Sequence, residues 1–136
     1  MAINTDLIQA SFEKAKPLGQ EITKKFYEIL FAEYPAAKPL FENVDLEKQE
    51  HALLGSLAFV VENITDTEKI SDYLGKLGAR HVNYNTLPEH YPLVGDSLLK
   101  TFAHFFKDEW TEELNNEWEK AYGVITDLML QGAKVS

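Results

Sequence analysis

Apolar residues recur at spacings of three and four along almost the whole chain, and this periodicity constrains the fold more than any other feature. It is typical of α-helices that turn one side toward a core. The runs that contain β-branched residues are short and keep helical spacing, so we find no convincing β-strand. A length of 136 residues suits one domain with one sizeable core. The sequence therefore predicts a single all-α domain over residues 1–136.

Capping residues mark where several of these helices begin and end. The predicted N-terminal caps are Asn4 or Thr5, Asp45 and, for the helix that carries His81, the stretch Thr65-Asp66-Thr67-Glu68, which includes the Thr-x-x-Glu spacing of a capping box. Gly132 is expected to end the last helix, because glycine commonly follows a helix C-terminus. Pro17 and Gly19 should interrupt the first helix, and a short helical turn should follow Pro35.

Composition excludes several classes of function. The formal net charge of −9 argues against nucleic acid or an anionic membrane as a partner. The lack of cysteine removes disulfides and thiolate metal sites, and it fits a reducing compartment. No apolar run reaches the roughly 18 residues of a membrane span, and the N-terminus does not resemble a signal peptide. We therefore expect a cytoplasmic protein.

His81 lies on the apolar face of a predicted helix, at helical spacing from Ile70, Leu74, Leu77 and Tyr84. An imidazole on such a face costs stability unless it has a hydrogen-bond partner or a ligand. This segment alone leaves two interpretations open. The ring is either a core histidine bonded to a carbonyl or a tyrosine hydroxyl, or a ligand to a bound metal.

The order of features along the chain is more specific than any one of them. A helix with an inward tyrosine precedes a proline-bracketed turn ending in LF, and the next helix carries a glutamine one turn before a leucine. A helix with a lone histidine in LGARH follows, and then the phrases PEHYPLVGDSLLK and W-x-K-A-Y-G. This order resembles the globins, and more narrowly the bacterial single-domain haemoglobins and the globin part of flavohaemoglobins. The resemblance covers nearly the whole chain. It implies a globin fold of six to eight helices around a haem b pocket.

The resemblance also implies roles for individual residues. His81 matches the proximal histidine that ligates the haem iron, and Phe41 matches the phenylalanine that stacks on the porphyrin. Tyr27 and Gln49 match the distal residues that donate hydrogen bonds to a bound gas, and they are our candidates for catalytic residues. A shift of one residue in the preceding loop would replace Gln49 by Lys48 or Glu50. The apolar stripe of that helix favours Gln49.

Further residues match the walls of the haem site. They are Leu53, Leu77, Val94 and Tyr91. In flavohaemoglobins a late glutamate completes a hydrogen-bonded set around the proximal histidine, and here that position is Ala133. A carboxylate paired with the histidine would make it a stronger electron donor. Without it we expect slower reductive turnover, which favours reversible oxygen binding over catalysis.

Three functions are compatible with the resemblance. The first is reversible binding of dioxygen, for transport or storage, with nitric oxide and carbon monoxide as further ligands. The second is nitric oxide dioxygenation to nitrate, for which we expect a separate reductase. The third is gas or redox sensing, which usually needs an output domain, and we see none. A monomer or a weak homodimer is expected.

Overall fold

The computed structural model describes residues 3–42, 44–82 and 89–135, and this part of the chain is built from six α-helices. They are α1 (Thr5–Ala15), α2 (Gly19–Glu33), α3 (Leu46–Glu62), α4 (Thr67–Val82), α5 (His90–Phe106) and α6 (Glu112–Val135). Short 3₁₀ helices lie at Lys16–Leu18, Pro35–Phe41 and Lys107–Glu109. The described ranges contain no β-strand, so the prediction of an all-α fold is confirmed. Tyr84, which was predicted to share the apolar face of His81, lies outside the described residues.

Side chains just before the helices accept hydrogen bonds from the first free backbone amides and so determine where α1, α3 and α4 begin. The Asn4 side chain accepts a hydrogen bond from the Leu7 amide at 3.1 Å and caps α1. The Asp45 carboxylate caps α3 in the same way. Within the predicted capping stretch 65–68, Asp66 accepts the hydrogen bond from the Lys69 amide at 3.1 Å and α4 begins at Thr67, so the helix is capped there, but by Asp66 rather than by the Thr65–Glu68 box. Asp66 stands directly before the helix, where a carboxylate also interacts favourably with the helix dipole.

The larger apolar cluster joins α1, α2, α3, α5 and α6. Its largest fully buried side chains include Phe26 of α2 and Phe102 of α5. The Phe102 ring lies 4.8 Å from the ring of Trp118 on α6, and the Trp118 indole donates a hydrogen bond to the Ser11 hydroxyl at 2.9 Å. This bond satisfies a polar group that would otherwise be costly to bury.

The smaller cluster holds α4 against α6. Its buried members are Val60, Ile70, Leu74, Tyr91 and Met129. The two helices approach closely because the Gly78 backbone lies against the Met129 backbone, and that of Gly132 against Gly75. The prediction that Gly132 ends the last helix is therefore wrong: α6 continues to Val135, and the glycine serves helix packing instead.

Helices α3 and α4 are also joined by aromatic and polar side chains near their connecting turn. The Tyr73 ring stacks on Phe59 with 4.2 Å between ring centroids, and its hydroxyl lies 3.0 Å from the Ser56 hydroxyl. These contacts attach the start of α4 to the second half of α3. Within the described residues, no helix combines the length and the apolar character that crossing a membrane requires.

Candidate functional site

Tyr27 is enclosed by aromatic rings in the middle of α2. It is 4% exposed, and its ring centroid lies 4.8 Å from that of Phe26 and 5.9 Å from that of Phe31. Phe41, the last residue of the 3₁₀ helix Pro35–Phe41, meets it edge-on at 5.4 Å. Phe31 was not predicted as a site residue, although it follows Tyr27 by one helical turn. The structure therefore brings Tyr27 and Phe41 together, as the resemblance implied.

Gln49 approaches this aromatic group from the first turns of α3. Burial raises the pKa of the Tyr27 phenol above its ordinary value of 10.0, a hydrogen bond from the Gln49 side chain lowers it, and the negative charge of Glu50 raises it. The net pKa lies above the ordinary value, so the phenol keeps its proton at neutral pH and is able to donate a hydrogen bond. Gln49 is half-buried, whereas Lys48 points to solvent. This placement fits Gln49 rather than Lys48 as a neighbour of Tyr27.

Glu50 is the unexpected residue of this region. It is only 6% exposed, and its Oε1 atom is buried without a hydrogen-bond partner. The sequence offers Glu50 only as the residue that a one-residue shift would put in place of Gln49. The signal was weak, because a glutamate on a helix normally reaches solvent. The negative charge of Glu50 is one of the causes that raise the pKa of the Tyr27 phenol.

His81 is held by a hydrogen bond to its own helix. Its Nδ1 atom lies 2.8 Å from the carbonyl oxygen of Leu77, one turn earlier in α4. Because a carbonyl oxygen only accepts, Nδ1 must carry the proton, and in a neutral ring Nε2 then carries the lone pair. Burial lowers the pKa of His81 below its ordinary value of 6.5, and the Leu77 carbonyl and the charge of Arg80 have smaller effects. The ring is therefore neutral near pH 7, in the form that can ligate a metal.

A tyrosine pair lies beside His81. The Tyr91 ring is roughly parallel to the imidazole, with 6.5 Å between centroids, and burial raises the pKa of its hydroxyl. The Tyr122 hydroxyl donates to the backbone carbonyl of Tyr91 at 2.7 Å, which fixes the start of α5 against α6. Ala133, at the position of the family's glutamate, is half-buried in α6 and supplies no carboxylate.

The predicted site residues thus fall into two groups. Tyr27, Phe41, Leu53 and Val94 belong to or pack against the larger cluster, which α2, α3 and α5 help to form. Leu77 and Tyr91 belong to the smaller cluster, and His81 lies beside them. That the two groups lie on opposite sides of a haem stays a prediction. The individual ligand roles remain predictions.

The donor chemistry decides which kind of metal the site suits. The described residues contain no group of three or more histidine, cysteine, aspartate or glutamate side chains that could hold an ion. One imidazole cannot retain a free metal ion, but it suits a metal whose other ligands come from a macrocycle. A single neutral histidine beside buried aromatic and aliphatic side chains therefore fits a haem.

The chain is similar to known proteins over most of its length. The Globin family model matches residues 24–129. A flavohemoprotein of Oceanobacillus iheyensis is 35% identical over 132 residues, which cover 96% of this chain and 32% of the relative. A flavohemoprotein of Bacillus subtilis is 30% identical over 127 residues, with 92% and 32% covered. A bacterial globin structure from Campylobacter jejuni superposes with a TM-score of 0.82 at 30% identity, and the match covers 96% of this chain and 94% of that one.

The chain belongs to the globin family. It spans about a third of the length of the flavohemoproteins that it matches. It has the fold of a bacterial globin.

Proposed function

We propose that this chain is a haem b globin that binds dioxygen reversibly and also takes nitric oxide and carbon monoxide. The observation that carries the proposal is the hydrogen bond between His81 Nδ1 and the Leu77 carbonyl. When bound, the haem supplies the ferrous iron at which such gases bind.

On the proximal side, the chain orients one nitrogen ligand. The Leu77 carbonyl fixes both the tautomer and the direction of the His81 ring, as partners of metal-bound histidines commonly do. The close backbone contact between α4 and α6 supports the helix that carries this ring. The side chains of Phe41, Leu53, Leu77 and Val94 would pack against the porphyrin. Tyr91 would lie next to the histidine.

On the distal side, the chain supplies hydrogen-bond donors. The Tyr27 phenol keeps its proton because burial raises its pKa, so it can donate to a gas that carries partial negative charge. Gln49 would donate a second hydrogen bond from its amide. The surrounding rings of Phe26, Phe31 and Phe41 keep water away from the phenol, which strengthens these bonds.

The experiment measures the rate at which oxygen is released from the reduced, haem-loaded protein and its variants. Tyr27→Phe removes a hydroxyl and leaves the ring contacts, so we expect release to become about threefold to tenfold faster, the effect of one lost hydrogen bond. Tyr34→Phe is the matched control, because the Tyr34 hydroxyl donates to Asp96 at 2.7 Å and is engaged elsewhere. An unchanged release rate in Tyr27→Phe, or an equal change in both variants, would refute the distal assignment.

The similarity to flavohemoproteins supports a second candidate, nitric oxide dioxygenation. In this reaction one nitric oxide, one dioxygen and one electron give nitrate, and a separate reductase supplies the electron. Ala133 in place of a glutamate favours oxygen binding, because the proximal histidine lacks a carboxylate partner at that position. Sustained nitric oxide consumption with stoichiometric nitrate, measured with an added flavin reductase, would favour the enzyme instead.

A further inference from the structure

We propose that Tyr122 is a positioning residue for the proximal histidine: it anchors the first turn of α5, and with it the Tyr91 ring that lies beside His81. This inference rests on the proposed function, because it concerns the residue that would ligate the haem iron. Tyr122 does not carry the ligand nitrogen, and it acts through Tyr91.

The start of α5 differs from the starts of α1, α3 and α4. Those three helices begin with a side chain that accepts a hydrogen bond from a first-turn amide, whereas the side chain of Glu89, directly before α5, makes no such bond. The first amides of a helix have no partner within it, so a start without this cap is held less firmly by its own residues. The position of this turn therefore depends more on contacts with other helices.

Tyr122 of α6 makes two contacts with this turn. Its hydroxyl donates to the Tyr91 carbonyl oxygen at 2.7 Å. In an α-helix the Gly95 amide donates to the same oxygen, and a carbonyl oxygen accepts both bonds because it has two lone pairs. The Tyr122 ring lies against Gly95 itself, since a Cβ atom there would be 2.6 Å from the ring atom Cε2. The glycine thus admits the ring, and the hydroxyl reaches the carbonyl one turn earlier.

The anchored turn carries the aromatic ring beside His81. Tyr91 is buried, its ring centroid lies 6.5 Å from that of the imidazole, and the two planes differ by 30°. This separation is within the range of offset aromatic pairs. The Leu77 carbonyl oxygen, 2.8 Å from His81 Nδ1, restrains one atom of the imidazole. The Tyr91 ring, on one side of the imidazole, limits how far it turns about that hydrogen bond.

The consequence concerns the direction of the ligand nitrogen. Groups around a metal-bound histidine orient its ring and tune the strength of the metal bond. Without the Tyr122 hydroxyl the first turn of α5 is free to shift, and the Tyr91 ring shifts with it. The imidazole of His81 then samples more orientations. Its Nε2 atom is expected to bind iron more weakly on average and with more variation.

The first test concerns the contact and needs no haem, so it is made on the chain with and without hemin. Tyr122→Phe keeps the ring and removes the hydroxyl. The Gly95 amide should then exchange its hydrogen with solvent about threefold to tenfold faster, the effect of one lost hydrogen bond on local opening. Tyr73→Phe is the matched control, because the Tyr73 hydroxyl lies 3.0 Å from the Ser56 hydroxyl of α3. Unchanged exchange at Gly95, or equal acceleration by both variants, would overturn the proposal.

The second test concerns the histidine in the reduced, hemin-loaded protein. Tyr122→Phe should lower and broaden the iron–histidine stretching band in resonance Raman spectra, whereas Tyr73→Phe should leave it unchanged. Tyr91→Leu removes the ring and keeps the backbone carbonyl. In that background Tyr122→Phe should still accelerate exchange at Gly95 but no longer alter the band. If it altered the band there as well, Tyr122 would not act through Tyr91, and the proposal would be wrong.

Together the two tests separate this inference from the proposed function. Faster exchange at Gly95 with an unchanged Raman band in hemin-loaded Tyr122→Phe would overturn the positioning role alone. A wild-type chain that binds no hemin would overturn the proposed function, and the role of Tyr122 toward a haem ligand with it.

Discussion

Gly78→Ala is the substitution whose effect the packing of α4 on α6 predicts most directly. A Cβ atom at this position would lie 2.7 Å from the Met129 Cα atom and closer still to the Met129 carbonyl oxygen. Both atoms belong to the backbone of α6, so no side-chain rotation can relieve the clash. The two helices would have to move apart. His81 lies one helical turn after Gly78 in α4, so its position would change as well.

The magnitude follows from two opposing terms. Overpacking in a close contact costs about 1–3 kcal/mol, and a rigid backbone neighbour puts this site at the upper end. Replacing glycine by alanine within a helix returns about 0.5–1 kcal/mol. We therefore expect Gly78→Ala to lower the free energy of unfolding by about 2 kcal/mol. It should also accelerate hemin loss, because the proximal helix shifts.

The assay is urea unfolding of the apoproteins by circular dichroism, together with transfer of hemin to a scavenger protein. Gly55→Ala is the control, because a Cβ atom on Gly55 of α3 meets nothing within 4 Å. It should raise the free energy of unfolding by about 0.5–1 kcal/mol. If Gly78→Ala were as stabilising as Gly55→Ala, the close approach of α4 and α6 would be refuted.

Two further predictions concern stability. The pKa of Asp96 lies below its ordinary value of 3.8, mainly because the Tyr34 hydroxyl donates a hydrogen bond to the carboxylate. This bond therefore stabilises the fold above pH 3.8. The stabilisation is lost as the pH falls through the lowered pKa. Tyr34→Phe should therefore lower the free energy of unfolding at pH 7. The difference from wild type in urea unfolding should shrink below pH 3.8, and a constant difference would contradict the linkage. Lys107 follows α5 with φ of 51° and ψ of −119°, a conformation that favours glycine. Lys107→Gly should raise the thermal midpoint by an amount equivalent to about 1 kcal/mol, whereas the neighbouring Asp108→Gly should not.

The features that sequence predicted well are those with a local cause. Apolar periodicity gave the helical class, and the side chains of Asn4 and Asp45 cap α1 and α3 because a cap needs only its own turn. The same periodicity predicted that His81 lies on the apolar face of its helix. Of the two interpretations of this ring, a histidine bonded to a carbonyl describes the Nδ1 atom, whose partner is a carbonyl oxygen of its own helix. The other interpretation, a ligand to a metal, concerns Nε2 and stays a prediction.

The features that sequence could not supply depend on tertiary contacts. Gly132 looked like a helix end, and only the neighbouring backbone of Gly75 shows why it lies inside α6. Glu50 appeared in the sequence only as an alternative to Gln49, and nothing in the helical pattern indicates that its side chain is buried. Such burial depends on how helices that are distant in sequence pack together, which no local pattern determines.

The measurement that tests the central claim most directly is the absorption spectrum of the purified chain during titration with hemin, followed by reduction. We expect one hemin per chain, a sharp Soret band, and a reduced five-coordinate spectrum typical of a histidine ligand. His81→Ala should lose that spectrum, and added imidazole should restore it. A wild-type chain that leaves hemin in its free form, or a His81→Ala protein that keeps the normal reduced spectrum without imidazole, would contradict the assignment of His81 as the haem ligand.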